Sequence, residues 1–179
     1  MSLNKKFDFI IVGQGLAGTL LAHDLIEENK SVLLIDSNLK ASASRVAAGL
    51  INPISMKRCI EAMPSYYLTK CLDRFLDLEK KLDSSFLKLK PILRLFDSIE
   101  TNNQWKDKYK NEGMRIYIKE LLSKNSFSSL NDSFSSALVE PAGHLDVISF
   151  LDVSRSYFSK FHSLLNEKFD FSLFSDSEI

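Results

Sequence analysis

Three glycines have the spacing that could bind a phosphorylated ligand. Gly13, Gly15 and Gly18 form a G-x-G-x-x-G pattern between two apolar stretches. Gly13 permits a turn too tight for a Cβ atom, and Gly15 lets a pyrophosphate approach the backbone. A helix predicted to begin near Leu16, with Ala17 in its first turn, would point unpaired N–H groups at that anion. The pattern predicts a pyrophosphate site, and the alternative is a glycine turn in an ordinary α/β protein.

One carboxylate follows at the place where the sugar of such a ligand should be. Asp36 comes 18 residues after Gly18, which is the spacing expected of an acid that accepts hydrogen bonds from an adenosine ribose. Its charge would repel a 2′-phosphate, so FAD or NAD is favoured over NADP. The adjacent Ser37 is counted among the candidate cofactor contacts.

The elements around the glycines must hold these groups in place. Residues 7–12 are nearly all apolar, which suits a strand covered on both faces inside a parallel sheet. Gly18 lies on an apolar helical stripe that would face this sheet. We expect Asn29 to end the helix in a left-handed conformation, and residues 31–35 to form a second strand with Asp36 at its carboxyl end. These elements predict a Rossmann-type βαβ unit of the α/β class.

The composition limits the classes of protein to consider. The chain has 179 residues, and its 23 lysines and arginines are balanced by 23 aspartates and glutamates. A formal charge of zero provides no broad basic surface, so we expect no direct nucleic-acid ligand. No run approaches the ~20 apolar residues of a membrane span. We therefore expect a cytoplasmic protein, long enough for one core or for one domain and part of another.

The cysteines and histidines show no pattern of a metal or disulfide site. Cys59 and Cys71 are the two cysteines, and the spacing predicts Cys71 on the apolar stripe of a helix. The three histidines His23, His144 and His162 have no spacing typical of zinc ligands or of a nucleophilic relay. We expect surface or structural roles for them and no metal site.

A second segment could also approach a flat ligand. Residues 41–49 are small apart from Arg45 and Val46, so the backbone there could come close to a ring system. Ser42 and Ser44 add hydroxyl donors, and Arg45 could make a charge-assisted contact to a pyrophosphate. The alternative is a small-residue turn that packs under the sheet.

Together these motifs resemble the FAD-binding start of the D-amino-acid oxidase and glycine oxidase family. The resemblance is carried by residues 13–18, by Asp36 and by residues 42–53. It implies FAD as cofactor, with Ser44 and Arg45 near the pyrophosphate. It also implies that the flavin ring lies along the three residues Ala47, Ala48 and Gly49.

Between the two ends of the chain the pattern is explained by packing. Pro64 can open a helix that runs to about residue 82. Residues 92–96 suit a strand, and Asp97 with Glu100 forms a capping-box-like start to a helix containing Trp105. We interpret Trp105 as a packing anchor rather than a substrate contact.

The later part of the chain returns to the resemblance. Residues 123–136 are rich in serine and asparagine and predict a loop, and residues 137–140 predict a short strand. Residues 140–146 are similar to the family's entry into a helix after its substrate domain. The apolar stripe from Val147 to Phe161 fits that helix, and the alternation of Phe169, Phe171 and Leu173 predicts a final strand.

The resemblance also predicts a domain plan. Residues 1–60 would form the FAD-binding βαβ unit and the flavin-contacting segment, and residues 61–145 part of a mixed α+β substrate or cap domain. Residues 146–179 would return as a helix and a strand toward the FAD domain. The fold expected is thus an α/β Rossmann-type unit with a parallel sheet and part of a substrate domain, truncated relative to the family.

The expected function is oxidation of an amine or amino acid by hydride transfer to flavin, or the N-terminal part of such an enzyme. Two alternatives remain open, namely a truncated, non-catalytic FAD-binding or nucleotide-binding protein and an NAD-binding domain. The resembling enzymes are roughly twice as long and hold the substrate carboxylate with residues of their later half. No catalytic residue is assigned, although Arg94, Arg115 and Tyr117 lie in the expected substrate domain.

A sheet without its remaining strands would expose an edge and apolar helix faces to water. We therefore expect the isolated chain to be marginally stable, or to depend on an oligomer or a complementing chain.

Overall fold

The computed structural model describes residues 6–161, 163–170 and 172. The strands in this part of the chain are β1 Phe9–Val12, β2 Val32–Ile35, β3 Leu50–Ile51, β4 Ile54–Ser55, β5 Ile60–Glu61, β6 Leu87–Leu89, β7 Ile92–Leu95, β8 Ile118–Leu122, β9 Ser136–Val139, β10 Gly143–Leu145 and β11 Leu164–Leu165. The helices are α1 Leu16–Glu27, α2 Ser65–Leu82, α3 Ile99–Tyr109, α4 Glu112–Arg115 and α5 Val147–Lys160. The chain forms two compact units, one from the described parts of residues 1–48 and 146–179 and one from residues 49–145.

The first unit contains a three-stranded parallel sheet in the order β1-β2-β11. Strand β1 pairs with β2 from Phe9 opposite Val32 to Val12 opposite Ile35, and β11 pairs with the other side of β2. Helix α1 connects β1 to β2, and α5 precedes β11. The core of this unit is formed by Ile11, Ala22, Val32, Leu34, Phe158 and Leu164. The predicted βαβ unit with a parallel sheet is confirmed.

Local signals located the elements of this unit well. Strand β1 begins at Phe9 rather than at residue 7, and β2 begins one residue later than predicted. Helix α1 begins at Leu16, as predicted. Asn29 has a φ of 60°, which confirms the predicted left-handed stop after the helix.

The environment of β1 differs from the prediction that both faces of this strand are covered. Phe9, Ile10 and Val12 are 44%, 48% and 50% exposed, and only Ile11 is buried. Core residues of α1 and α5 pack on the face of Ile11, whereas the opposite face, with Ile10 and Val12, is left open by the described residues. Strand β1 is also an outer strand of their sheet. The unpaired backbone edge of an apolar outer strand can pair with a further strand.

The second unit is built from short antiparallel strands and three helices. Its sheets have the orders β3-β10-β6 and β7-β9-β8, and β4 pairs with β5. Trp105 of α3 is fully buried, and its ring lies 5.5 Å from that of Phe96. The interpretation of Trp105 as a packing anchor is confirmed. Residues 123–135 contain no helix or strand, as expected of the predicted loop.

Two local predictions in the second unit are wrong, and the boundary of a third differs by one residue. Helix α3 is capped by Ser98, whose Oγ accepts a hydrogen bond from the Thr101 N–H at 3.1 Å, rather than by an Asp97–Glu100 box. Strand β9 begins at Ser136, one residue earlier than predicted. Cys71 is exposed on α2, because the buried stripe of that helix runs through Leu68, Leu72 and Leu78.

Part of the predicted final strand lies outside the residues that the structure describes. Phe171, Leu173 and His162 are outside the described residues, and Phe169 is not in a strand. The strand that follows α5 is β11, at Leu164–Leu165. Among the described helices, none combines the length and the apolarity needed to cross a membrane.

Candidate cofactor site

The glycine turn after β1 is held against the sheet by its own backbone. Gly13 has a φ of 97°, which favours glycine, and its N–H donates to the Ile35 carbonyl at 2.9 Å. A Cβ atom on Gly18 would lie 2.1 Å from the Gly13 carbonyl oxygen and 3.2 Å from Ile11 Cγ2. The absent side chain therefore brings α1 close to β1, which confirms the predicted packing of the third glycine.

The N-terminus of α1, here called the helix mouth, is partly covered by the Ser44 hydroxyl group. The first backbone hydrogen bond of the helix runs from the Thr19 N–H to the Gly15 carbonyl, so the preceding amides have no partner within the helix. The Leu16 N–H instead donates to Ser44 Oγ at 3.0 Å. The sequence alone suggested that this amide is unpaired, but in the structure it has Ser44 as its partner. The Ser44 hydroxyl still carries a proton that it can donate to a further acceptor.

Asp36 follows β2 and accepts hydrogen bonds from three donors. Its Oδ2 accepts from the Gln14 N–H at 2.9 Å, and its Oδ1 accepts from the Asn38 N–H at 2.7 Å and from Arg155 Nη1 at 3.0 Å. Burial raises the pKa of the Asp36 carboxyl, but the hydrogen bonds from Gln14, Asn38 and Arg155 outweigh it and leave the pKa below its usual value. The carboxylate is therefore ionised at neutral pH.

Two residues of this cluster were missed from the sequence. Gln14, the middle residue of the first G-x-G, is 5% exposed, and its Nε2 donates to the Leu151 carbonyl at 2.8 Å. Its Oε1 accepts from Arg155 Nη1 at 2.6 Å. A long polar side chain inside a glycine turn was a signal that could have identified Gln14. No local signal points to Arg155, which lies 119 positions from Asp36.

Arg45 and Ser37 have surroundings that the sequence did not indicate. The Arg45 guanidinium forms an ion pair with Asp152 of α5 at 2.6 Å. Since Arg45 has five N–H donors, this pair leaves others for a ligand. Ser37 is exposed after Asp36.

The three small residues assigned to the flavin ring fall on both sides of the unit boundary. Ala47 and Ala48 are exposed at the end of the first unit, where the Ala47 N–H donates to the Ser44 carbonyl at 3.3 Å. Gly49 begins the second unit with a φ of 66°, and its carbonyl accepts from the Leu145 N–H at 2.8 Å.

The polar residues noted in the second unit are engaged within it. The Tyr117 hydroxyl donates to the Glu61 carboxylate, and burial together with this bond raises the pKa of Tyr117 to about 12. Arg94 pairs with Asp97 at 3.5 Å. Arg115 Nε donates to a backbone carbonyl at 2.9 Å. These contacts hold the unit together and assign no catalytic role.

The described residues contain no group of three or more histidines, cysteines and carboxylates arranged to hold a metal ion. His23 is fully buried, and its Nε2 lies 3.0 Å from Ser154 Oγ. Cys59 is buried and not in a disulfide, and burial raises the pKa of its thiol to about 11. His144 lies exposed in β10.

The fold and the site together define a dinucleotide-binding α/β protein of the Rossmann type. The carboxyl ends of parallel strands are where such folds bind ligands. Here those ends carry a glycine turn, a helix mouth with a hydroxyl and an ionised carboxylate. The turn fits a dinucleotide, since the position of a Gly13 Cβ has no atom within 4 Å.

The sequence matches the model of the DAO family, described as FAD dependent oxidoreductase, over residues 8–153. The chain therefore belongs to this family of FAD-dependent oxidoreductases. The resemblance stated from the sequence and the expectation of FAD are confirmed.

Solved structures share the fold at low sequence identity. L-amino acid deaminase from Proteus vulgaris has a TM-score of 0.65 at 16% identity, covering 92% of this chain and 40% of that one. Glycine oxidase from Geobacillus kaustophilus has a TM-score of 0.71 at 16% identity, covering 90% and 46%. L-proline dehydrogenase from P. horikoshii has a TM-score of 0.60 at 17% identity, covering 91% and 44%. The chain thus spans less than half the length of these structures, and no curated protein sequence matches it significantly.

Proposed function

We propose that this chain supplies the nucleotide-binding part of an FAD-dependent oxidoreductase that oxidises an amine or amino acid by hydride transfer to flavin. The observation that carries the proposal is the cluster at the carboxyl ends of β1 and β2. There the Leu16 N–H and the Ser44 hydroxyl lie at the helix mouth, and the ionised Asp36 follows β2. A helix mouth is suited to a diphosphate and the carboxylate to a ribose.

The proposed contacts follow from this arrangement. Gly13 and Gly15 let the diphosphate approach, the amides of Ala17 and Gly18 face it, and the amide of Leu16 is linked to it through the Ser44 hydroxyl. The Ser44 hydroxyl accepts from the helix and donates to a phosphate oxygen, and Arg45 supplies charge from the same segment. Ala47, Ala48 and Gly49 line the flavin ring. We retain the division into residues 1–60, 61–145 and 146–179 as a functional proposal.

The bound flavin supplies the chemistry by accepting a hydride from the carbon that bears the amine. The protein's part is to bind the cofactor and to orient it. The names of the structural neighbours, an amino acid deaminase, a glycine oxidase and a proline dehydrogenase, support a small amino acid or amine as substrate.

The test is an absorption spectrum of the purified 179-residue chain after addition of FAD and gel filtration. We expect retained FAD with the two visible bands of a protein-bound flavin. Glycine, proline and other small amino acids are then added anaerobically, and bleaching of the flavin by any of them would show that the chain also orients the substrate. A protein that stays colourless at micromolar FAD would refute the proposal.

We further propose that an oligomer or a complementing chain covers β1. The support is the exposure of Phe9, Ile10 and Val12 on an outer strand. We expect Ile10→Lys to increase the monomeric fraction in analytical ultracentrifugation, because a charge on this face opposes strand addition. Ile148→Lys is the matched control, since Ile148 is 53% exposed on α5 of the same unit. A monomeric wild-type chain with a sharp thermal transition in the absence of flavin would contradict this proposal.

A further inference from the structure

Arg155 of α5 connects the carboxyl ends of all three parallel strands. Gln14 follows β1, Asp36 follows β2 and Asn166 follows β11. The guanidinium donates from Nη1 to Gln14 Oε1 at 2.6 Å and to Asp36 Oδ1 at 3.0 Å. From Nη2 it donates to Asn166 Oδ1 and, over a longer 3.5 Å contact, to the Asp36 carbonyl. A single side chain therefore fixes the edge of the sheet at which the cofactor is proposed to bind.

Four of the five N–H donors of this arginine are committed to the protein. Nη1 and Nη2 carry four N–H groups between them, and the four acceptors are the Gln14 side chain, the Asp36 carboxylate and carbonyl, and the Asn166 side chain. The Arg155 side chain is only 13% exposed. Arg155 is thus arranged to orient its neighbours rather than to bind a ligand phosphate.

The acceptor sites of Asp36 lead to a specific consequence. A carboxylate has two oxygens with about four acceptor positions. Oδ1 accepts from Asn38 and Arg155, while the described donors to Oδ2 amount to the Gln14 N–H. About one acceptor position therefore remains, and it is on Oδ2.

We propose that Arg155 is a positioning residue of the adenosine subsite, which fixes the Asp36 carboxylate so that Oδ2 accepts a single ribose hydroxyl. The inference rests on the proposed function, because it requires an adenine nucleotide at this site. It adds that recognition of the ribose depends on an arginine that does not touch the ligand. Loss of Arg155 removes one of the three donors that hold the Asp36 carboxylate and the donor to Gln14 Oε1.

The test compares the dissociation constants of ADP and 2′,3′-dideoxy-ADP by isothermal titration calorimetry. For the wild-type chain we expect the dideoxy nucleotide to bind about tenfold more weakly, as the loss of one charge-assisted hydrogen bond predicts. For Arg155→Gln we expect this ratio to fall below about threefold. The ratio reports recognition of the hydroxyl, and a general loss of stability would weaken both ligands alike.

Further variants separate positioning from folding. Asp36→Ala is expected to remove the preference for ADP, and adding Arg155→Gln to it should change the ratio no further. Arg155→Lys keeps the charge but lacks the planar fork, so an intermediate ratio is expected. If Arg155→Gln does not fold, the lysine variant and Asn166→Ala, which removes one acceptor of Arg155, carry the test. Arg58→Gln is the control, because Arg58 is an exposed arginine of the second unit.

The outcomes distinguish this inference from the function on which it rests. A wild-type chain that binds neither FAD nor ADP would refute the proposed function and the inference with it. A wild-type chain that binds FAD and prefers ADP, with the same ratio in the Arg155→Gln, Arg155→Lys and Asn166→Ala variants that fold, would overturn the inference alone.

Discussion

Replacing Gly15 with valine is expected to abolish FAD binding. A Cβ atom at this position would already lie 2.8 Å from Ser44 Oγ, and the two methyl groups of valine would extend over the helix mouth. The Ser44 hydroxyl would be displaced from the Leu16 N–H, and the diphosphate would lose its approach to the backbone. We expect the dissociation constant to rise roughly 100-fold or more, which is ~2.8 kcal/mol, as measured by quenching of flavin fluorescence.

The matched control for this variant is Gly113→Val in the second unit. A Cβ on Gly113 would meet the flexible Asn111 side chain, at 3.1 Å, rather than the cofactor site. FAD affinity should be unchanged in the control. Equal FAD retention by the Gly15→Val variant and the wild type would show that the diphosphate does not lie at the mouth of α1.

Replacing Gly18 with alanine is expected to destabilise the first unit strongly. The added Cβ would be placed 2.1 Å from the Gly13 carbonyl oxygen, an atom of the backbone that cannot rotate away. Relief requires α1 to move off the sheet, which separates Ala22 from Ile11 and Leu34 in the core. The free energy of unfolding in urea should fall by roughly 3 kcal/mol or more, at the upper end of overpacking effects.

The control for the alanine variant is Gly113→Ala. This glycine lies in α4, where alanine is a better helix former, so a change of less than about 1 kcal/mol is expected. A loss of stability in Gly18→Ala no greater than in the control would mean that α1 does not pack on β1 through this glycine.

The features predicted from the sequence are those that neighbouring residues determine. The glycine turn, the start of α1 at Leu16 and the left-handed Asn29 each depend on the conformation of a few adjacent residues. The sequence could place Asp36 after β2 for the same reason, because the apolar run of that strand is continuous up to it. These local signals did not predict that Arg155 donates to the Asp36 carboxylate.

The features not predicted depend on contacts between distant parts of the chain. Ser44 lies 28 positions from the amide that it covers, and Arg45 lies 107 positions from its partner Asp152. The exposure of β1 likewise depends on which face of the sheet α1 and α5 cover and not on the composition of the strand itself. The periodicity of apolar residues describes one helix or strand at a time. The contacts of Arg155 could be predicted only by knowing which strand ends lie next to each other.

The interrupted course of the chain through its two units has a consequence for its synthesis. Residues 49–145 form a contiguous unit, whereas the parallel sheet needs β11, which follows them. Domains fold as the ribosome releases them, and pairings between distant segments form slowly. The contiguous unit can therefore complete its folding while β1, α1 and β2 still await their third strand. Until β11 is synthesised, the side of β2 with which it pairs is left open.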